Sequence, residues 1–430
     1  MTGAFVPFDA VWDRIVETVG SGEAIPEQAR PVYLVRNLYG QVGVSVSEAV
    51  EEDPSCREAL QRLADRLRVV LGAHGPSAKS GVLFVGEPLL RSLDGTTREV
   101  CPGVLLADRL VTGGDWWSVR DQKSTSGARR CTLFSVKGGV GRSTTAVVLA
   151  WHLARRGERV LVLDLDLESP GVSSAMLDPA LQPEFGIADW FVEDLVGQRE
   201  QVFDKMIAAP AWADDFDGTV HIVPAHGREP GEYLAKLGRV YMDNRVGWTA
   251  RLAEMLSRLE EVLTPTIVLL ESRSGLHDIA AATVTDLDAE VLLFALDAES
   301  HWADYDILFR HWRSVELAAR IRERVAIVSA LTPETGTEQY LQRFRERSWI
   351  LFAKHLYDDV AATDDIADAF SFNLDDGDGP HYPIAIAWNR GLAAGASLRH
   401  LEGPPARQAY SQFFDRFDTI MGVGVDGTAE

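Results

Sequence analysis

The hydrophobic pattern after about residue 129 alternates between short apolar runs and longer stretches with helical periodicity. The apolar runs predict strands at residues 131–136, 159–165, 219–224, 266–271, 290–296 and 324–330. The stretches between them place apolar residues three or four positions apart, as at Leu252, Leu256, Leu259 and Leu263, which is typical of helices with one buried face. This alternation predicts an α/β fold, with a mostly parallel sheet covered by helices on both faces.

Residues 1–120 show a different pattern and predict a separate, small α+β module of unknown role. Strands are expected at residues 31–38, 41–50 and 81–86, and a helix is expected from Pro54. Asp53 can cap this helix with Pro54 at its first position, or Ser55 and Glu58 can form a capping box. The apolar face of the helix is Leu60, Leu63, Leu67 and Val70 or Leu71.

The rest of the chain divides by composition. Residues 121–129 predict a polar linker, 130–300 the core of the α/β domain, 301–421 its completion with aromatic-rich added elements, and 422–430 a flexible tail.

The tandem pair Trp116-Trp117 is either a partner-binding hot spot or a pair that packs between domains. His381 is expected to be a structural histidine. The last helix carries Tyr410, Phe413 and Phe417 on one face without a basic polar face, so we expect it to dock on the core rather than on a membrane.

Composition and charge limit the possible partners. The 430 residues are 46% hydrophobic and carry a formal net charge of −22. This charge argues against a broad DNA-binding surface, because contacts to the phosphate backbone need clustered Lys and Arg. The sequence contains neither a run of 18 apolar residues nor a basic start followed by an apolar core, so neither a membrane span nor a secretory signal is expected. The three scattered cysteines show no metal or disulfide spacing, and a cytoplasmic protein is expected.

A glycine-rich segment between the first strand and the first helix of the α/β region carries the strongest chemical signal. Its sequence is Lys137-Gly138-Gly139-Val140-Gly141-Arg142-Ser143-Thr144. The glycines allow backbone N–H groups to close around phosphate oxygens, and the start of the helix adds partial positive charge. The Ser143 hydroxyl is placed to ligate Mg²⁺. Residues 137–144 are therefore the candidate nucleotide-binding residues.

Carboxylates end two further apolar strands. Asp164 and Asp166 lie two residues apart at the end of strand 159–165, so both side chains point to the same side of the pleat. Glu271 ends strand 266–271. The carboxyl edge of a parallel sheet is where α/β proteins bind ligands, which favours a functional site. The alternative is that these acids only mark the ends of buried strands.

The two motifs together resemble the ParA/MinD class of P-loop ATPases, in its K-G-G-V-G-R variant. The lysine before the glycines and the following D-L-D-L-E-S-P-G segment, residues 164–171, carry the resemblance, which covers roughly residues 130–300. It implies that residues 137–144 bind ATP and that two subunits close face to face, with Lys137 reaching the partner's nucleotide. It also implies that Asp166 orients the attacking water, and that Ser143, Asp164 and Glu271 serve the Mg²⁺ site. ATP rests on this resemblance alone, because the region after strand 324–330 contains no Asn to read adenine.

Some positions depart from the family pattern or leave alternatives open. Arg142 stands where the family has a compact lysine, so normal binding with slow hydrolysis, tight binding without hydrolysis, and loss of binding all remain open. Glu271 is one methylene longer than the usual Asp and can shift the Mg²⁺ geometry. Arg273 is either a γ-phosphate sensor or dimer contact, or a member of an ordinary ion pair. Glu168 is expected to hold the turn that follows it.

These observations lead to one main hypothesis and two rivals. The main hypothesis is a cytoplasmic ATP-dependent homodimerisation switch with slow Mg²⁺-dependent hydrolysis. By family analogy, it would regulate a protein partner in a bacterial multi-gene regulatory or conflict system, through the N-terminal module or the aromatic C-terminal region. The first rival is a pseudo-ATPase scaffold that binds nucleotide without hydrolysis. The second is a DNA-partitioning ATPase, which the net charge disfavours.

Overall fold

The computed structural model describes residues 5–20, 25–77, 81–91, 97–109, 114–117, 123–124, 126–241, 247–359, 369–393 and 404–423. The chain divides into two compact units, Met1–Gly114 and Asp115–Glu430. Residues 121, 122 and 125 of the linker expected at 121–129, and residues 424–430 of the expected tail, lie outside the described residues. In the described part of the chain, no helix combines the length and apolar composition needed to span a membrane.

The first unit contains a mixed sheet with helices. Its described strands, in the spatial order β3-β2-β1-β5-β4, are β1 (Val32–Arg36), β2 (Val42–Ser47), β3 (Val82–Val85), β4 (Thr97–Cys101) and β5 (Val104–Asp108). Its helices are α1 (Val11–Gly20), α2 (Pro54–Leu71) and α3 (Glu87–Arg91). Asp53 caps α2 by accepting hydrogen bonds from the N–H groups of Ser55 and Cys56, so the cap is Asp53 and not the Ser55–Glu58 box. The predicted apolar face of α2 is buried in the core of this unit.

The second unit is built on a sheet whose described strands all pair in parallel. Their spatial order is β12-β11-β10-β6-β9-β7-β8. The strands are β6 (Arg129–Phe134), β7 (Arg159–Leu165), β8 (Thr219–Val223), β9 (Ile267–Ser272), β10 (Glu290–Ala295), β11 (Val325–Thr332) and β12 (Ile384–Ala387). Each strand predicted in this region is present within two residues at either end, which confirms the α/β fold class.

Helices cover both faces of this sheet. They are α4 (Arg142–Ala154), α5 (Val172–Met176), α6 (Ile187–Asp194), α7 (Glu200–Phe203), α8 (Tyr233–Val240), α9 (Trp248–Leu263), α10 (Asp278–Ala281), α11 (Glu299–Ser314), α12 (Ala318–Ile321), α13 (Thr337–His355), α14 (Arg390–Ala393) and α15 (Pro404–Met421). Alternate strand residues enter different cores, as Val162 and Leu163 of β7 do. One face packs against α4, α5 and α15, and the other against α6 and α9 or against α11 and α13. This two-sided burial explains why the strands are almost continuously apolar.

The aromatic C-terminal region is mostly core rather than surface. Trp302, Tyr305, Phe309 and Trp312 of α11 are buried together with Phe344 and Phe352 of α13. The expectation that these aromatics present a partner-binding surface is therefore wrong for the buried members of the set. Their apolar area already lies against the sheet and against each other.

The other positions singled out by the sequence are structural within the second unit. Trp116 is buried against Phe134 and Trp312, whereas Trp117 is 38% exposed and packs edge-on against His311. His381 is buried between the Tyr357 hydroxyl and the Leu374 carbonyl oxygen, as expected for a structural histidine. The apolar face of α15 packs into the core beside α4, which confirms the predicted docking of this helix.

Candidate functional site

The phosphate loop, residues 135–141, connects the central strand β6 to α4. Strand β6 lies between β9 and β10, where the order of the strands along the sheet changes direction, and ligands bind at such points in open parallel sheets. Gly139 and Gly141 have φ angles of +77° and +80°, which favour glycine, and Gly141 precedes α4 without a capping side chain. The loop therefore turns sharply and opens onto the N-terminus of a 13-residue helix, a natural anion-binding position.

The remaining loop residues occupy distinct positions. Val140 is buried against the core, whereas Gly138 and Gly139 are exposed. Thr144 lies half-buried in the first turn of α4 beside Ser143. The Ser135 hydroxyl donates to the Lys137 carbonyl oxygen at 2.6 Å, and the Gly275 N–H donates to the Ser135 carbonyl oxygen at 3.0 Å. These two bonds fix the start of the loop against the segment that follows β9.

Lys137 forms an ion pair with Asp304 of α11. The Lys137 Nζ lies 2.5 Å from the Asp304 Oδ2, and the two side chains are 43% and 29% exposed. Nothing in the sequence predicts this partner, because Asp304 lies in a helix far along the chain with no motif of its own. In this structure the lysine is held by its own chain at the edge of the loop.

Arg142 points into the protein. Its guanidinium donates to the Ser272 carbonyl oxygen at 2.6 Å and lies 3.5 Å from an Asp166 carboxylate oxygen and 3.6 Å from a Glu271 oxygen. Its side chain is only 6% exposed. Arg142 is thus a buried counter-ion for two of the predicted site carboxylates.

The predicted site brings Ser143, Asp164 and Glu271 together. Asp164 and Glu271 are register partners on β7 and β9, and the Ser143 hydroxyl donates to Glu271 Oε1 at 3.1 Å. The N–H and hydroxyl of Ser173 donate to Asp164 Oδ2 at 3.0 and 2.5 Å. The other oxygens, Asp164 Oδ1 and Glu271 Oε2, are buried without a hydrogen-bond partner. Two unpaired buried carboxylate oxygens are costly unless a donor or a cation completes the site.

Burial dominates the electrostatics of these carboxylates. Loss of hydration raises the pKa of Glu271 and of Asp164, and repulsion from the neighbouring carboxylates adds to this effect. Burial also raises the pKa of Asp166, against the opposing effect of the Arg142 guanidinium. A bound cation would oppose this destabilisation of the charged forms.

The donor set fits a hard, hydrated divalent ion. Hydroxyl and carboxylate oxygens are the ligands that Mg²⁺ prefers, and Mg²⁺ usually keeps several waters and takes one or two protein ligands. Among the described residues, no group of three acidic, histidine or cysteine side chains is arranged to hold a metal directly. The arrangement therefore suits a Mg²⁺ ion that is ligated by Ser143 and by water molecules. The Glu271 and Asp164 carboxylates would lie on the protein side of these ligands.

A second cluster joins the segments that follow β7 and β9. Arg273 Nη1 lies 2.7 Å from Glu168 Oε1, and the Tyr241 hydroxyl donates to the same oxygen at 2.6 Å. Of the alternatives for Arg273, the ion pair is the one present in this structure. The expectation that Glu168 holds the following turn is wrong, because its carboxylate bonds to Arg273 and Tyr241. The Ser169 N–H bond to the Asp166 carbonyl oxygen closes the turn 166–169, which contains Glu168 itself.

Two close contacts at the site escape sequence reasoning. A Cβ atom on Gly171 would meet the Ser143 Oγ at 2.8 Å, so the glycine leaves room for the Ser143 side chain. Leu331 has a φ of +50°, a strained conformation for a bulky side chain, and its Cδ2 lies 3.7 Å from where a Cβ on Gly141 would be. The apolar strand pattern gives no signal for either contact, since both depend on distant loops meeting.

Comparison with known proteins points to one family. The family model described as "ParA: NUBPL iron-transfer P-loop NTPase" matches residues 128–184. The probable plasmid-partitioning protein ParA of Thermus thermophilus is 38% identical over 90 residues, which cover 20% of this chain and 28% of the relative. The chromosome-partitioning ATPase Soj of the same organism is 53% identical over 45 residues, covering 10% of this chain and 18% of the relative. The chain thus spans less than a third of the length of these two relatives.

Among solved structures, a ParA family ATPase from Chlorobium tepidum is 12% identical, with a TM-score of 0.44, and the match covers 66% of this chain and 98% of that one. The family match contains both motifs, the glycine-rich segment at 137–144 and the strand end at Asp164–Asp166. In the structure these motifs follow the carboxyl ends of the parallel strands β6 and β7, which lie on either side of β9. The chain therefore carries a P-loop NTPase domain of the ParA/MinD type.

Proposed function

We propose that this chain is an ATP-dependent dimerisation switch that hydrolyses ATP slowly. Residues 137–144 bind the phosphates of Mg·ATP, and Ser143, Asp164 and Glu271 serve the Mg²⁺ ion. Asp166 orients the attacking water, and Lys137 stabilises charge on the phosphates bound by the partner subunit. Two subunits close when ATP binds and separate after hydrolysis.

The observation that carries this proposal is the pair of unpaired carboxylate oxygens behind the phosphate loop. Asp164 Oδ1 and Glu271 Oε2 are buried at the carboxyl edge of the sheet, beside a serine hydroxyl that already contacts Glu271. A buried acidic pair is tolerated when a cation is bound there for part of the functional cycle. A Mg²⁺ ion bound together with a nucleotide would supply the positive charge beside these two carboxylates.

A pseudo-ATPase scaffold is the second candidate, and the position of Arg142 favours it. The guanidinium is committed to the Ser272 carbonyl oxygen and to the carboxylates, and it lies next to Asp166, the expected water-orienting group. A cation held there would compete with water for that carboxylate. Under this alternative the protein binds nucleotide as a structural ligand and does not release phosphate.

The partner surface is assigned to the N-terminal unit. The aromatic residues of the C-terminal region are largely buried, whereas the first unit exposes Phe5 and Tyr39 at 86% and 89%. Exposed aromatic residues are typical anchors of protein–protein contacts. The net charge of −22 argues against DNA as the main partner.

The test is Mg·ATP binding and phosphate release by the full-length protein, beside Lys137→Ala and Asp166→Ala. We expect binding by all three proteins and slow phosphate release by the unsubstituted protein alone. Binding by the unsubstituted protein without release would establish the scaffold. Failure to bind Mg·ATP would contradict both candidates.

A further inference from the structure

The Lys137–Asp304 ion pair places the ammonium group that should act on a partner subunit in contact with a carboxylate of its own chain. The Asp304 carboxylate, with its Oδ2 2.5 Å from the Lys137 Nζ, competes for this ammonium with the phosphates that it should reach across a dimer interface. We propose that Asp304 is a positioning residue that holds Lys137 in the monomer, so that dimerisation requires the ion pair to open. This proposal rests on the proposed function, since it concerns the same lysine.

The surroundings of the pair determine which partner moves. Asp304 lies on α11 next to Tyr305, which is fully buried and donates its hydroxyl to the Phe294 carbonyl oxygen at 2.8 Å. The backbone of Lys137 is also fixed, by the Ser135 hydroxyl bond to its carbonyl oxygen at 2.6 Å. Opening the pair therefore requires only new rotamers of the lysine side chain, with no movement of the helix or the loop.

The exposure of the pair makes it reversible. Both side chains contact solvent, at 43% and 29%, so water rehydrates the two charges when they separate. Exposed ion pairs of this kind shift an equilibrium by only about 1.4- to 5-fold. A symmetric dimer has to open two such pairs, so the association constant changes by the square of the effect of one pair. Removing the carboxylate is expected to strengthen dimerisation by roughly 2- to 30-fold.

The experiment measures the dimer association constant of the full-length chain with Mg·AMPPNP, a non-hydrolysable analogue that separates association from turnover. Asp304→Asn removes the charge with little change of shape, and Asp304→Glu restores a carboxylate that can still reach Lys137. The matched control is Asp306→Asn on the same helix. Asp306 pairs with Lys354 and His355, at 2.7 and 2.8 Å, and not with the phosphate loop. The double variant Lys137→Ala/Asp304→Asn is compared with Lys137→Ala alone.

We expect tighter dimers for Asp304→Asn, association close to that of the unsubstituted protein for Asp304→Glu and Asp306→Asn, and no gain from Asp304→Asn when Lys137 is absent. If the unsubstituted protein forms dimers but Asp304→Asn associates equally or more weakly, the role of Asp304 is refuted and the switch stands. The role of Asp304 is also refuted if the gain persists without Lys137. If Mg·AMPPNP binds but no protein in the series dimerises, the switch itself is refuted, and the role of Asp304 with it.

Discussion

Arg142 differs physically from the lysine usual at its position. A lysine ammonium is a compact point charge that reaches phosphates, whereas the planar guanidinium of Arg142 contacts a carbonyl oxygen and lies close to two carboxylates on the protein side of the loop. It reduces the net negative charge of a buried acidic cluster. This structural role accounts for an arginine within an otherwise intact phosphate loop.

Arg142→Ala is expected to reduce the free energy of unfolding by about 3 kcal/mol, because it leaves buried carboxylates without their counter-ion. Lys137→Ala removes one partner of a partly exposed pair and is expected to cost below about 1 kcal/mol. Urea titration of the nucleotide-free proteins measures both values. Equal effects of the two substitutions would contradict the burial of the Arg142 charge.

Gly171 offers a test of the proposed role of Ser143 as a Mg²⁺ ligand, because its substitution by alanine adds only one methyl group. In Gly171→Ala the new Cβ would lie 2.8 Å from the Ser143 Oγ and force the hydroxyl away from Glu271. We expect Mg·ATP binding to weaken about 10-fold, the equivalent of one lost ligand contact, while binding of ATP in EDTA changes little. Gly377→Ala is the control, since its Cβ would meet no atom within 4 Å. Unchanged Mg·ATP affinity in Gly171→Ala would remove Ser143 from the metal site.

The sequence predicts which residues meet at the site better than it predicts their contacts. Lys137, Ser143, Asp164 and Glu271 could be named because a phosphate loop and strand-end carboxylates have recognisable local patterns. Asp304 could not be named, because its role depends on where α11 packs against the loop. The same holds for Ser173, whose N–H and hydroxyl bind Asp164.

At the scale of elements, burial on both faces made the strands of the second unit easy to predict. Strand β7 was predicted at residues 159–165 and is observed at Arg159–Leu165. The aromatic C-terminal region was harder, since an aromatic stripe on a helix has the same pattern whether it faces a core or a partner. Packing of α11 against the sheet and α13 decides the question for Trp302 and Phe309, which are buried.

The start of β10 carries a partly buried carboxyl group, that of Glu290, whose effect on stability depends on pH. Burial raises the pKa of Glu290 from 4.5 to about 7, against the opposing effect of Arg324. A raised carboxyl pKa means that the folded state binds the proton more tightly than the unfolded state. Stability from this group is therefore fully present below the unfolded pKa near 4.5 and is lost as the pH rises through about 7.

Glu290→Gln removes this dependence. The variant is expected to be more stable than the unsubstituted protein by about 2 kcal/mol at pH 8, and the difference should vanish at about pH 4, where the glutamate is protonated in both states. Thermal unfolding across this range provides the measurement. A stability difference that does not change with pH would show that the folded and unfolded states bind the proton equally, so that folding does not raise the pKa of Glu290.

At the scale of the whole molecule, a P-loop NTPase unit, Asp115–Glu430, is joined to a smaller mixed-sheet unit, Met1–Gly114. Sequence patterns predicted elements in both units, but only the second has motifs that indicate chemistry. The first unit offers exposed aromatic residues, and we propose that it binds the protein partner.

In the proposed switch, Mg·ATP drives two copies of this chain together. Its most direct test is the molar mass of the full-length protein by light scattering, without nucleotide and with Mg·ATP, beside Lys137→Ala. We expect a monomer that doubles its mass with Mg·ATP, and no doubling when Lys137 is replaced. A mass that stays monomeric at saturating Mg·ATP, or a dimer that forms equally well without Lys137, would contradict it.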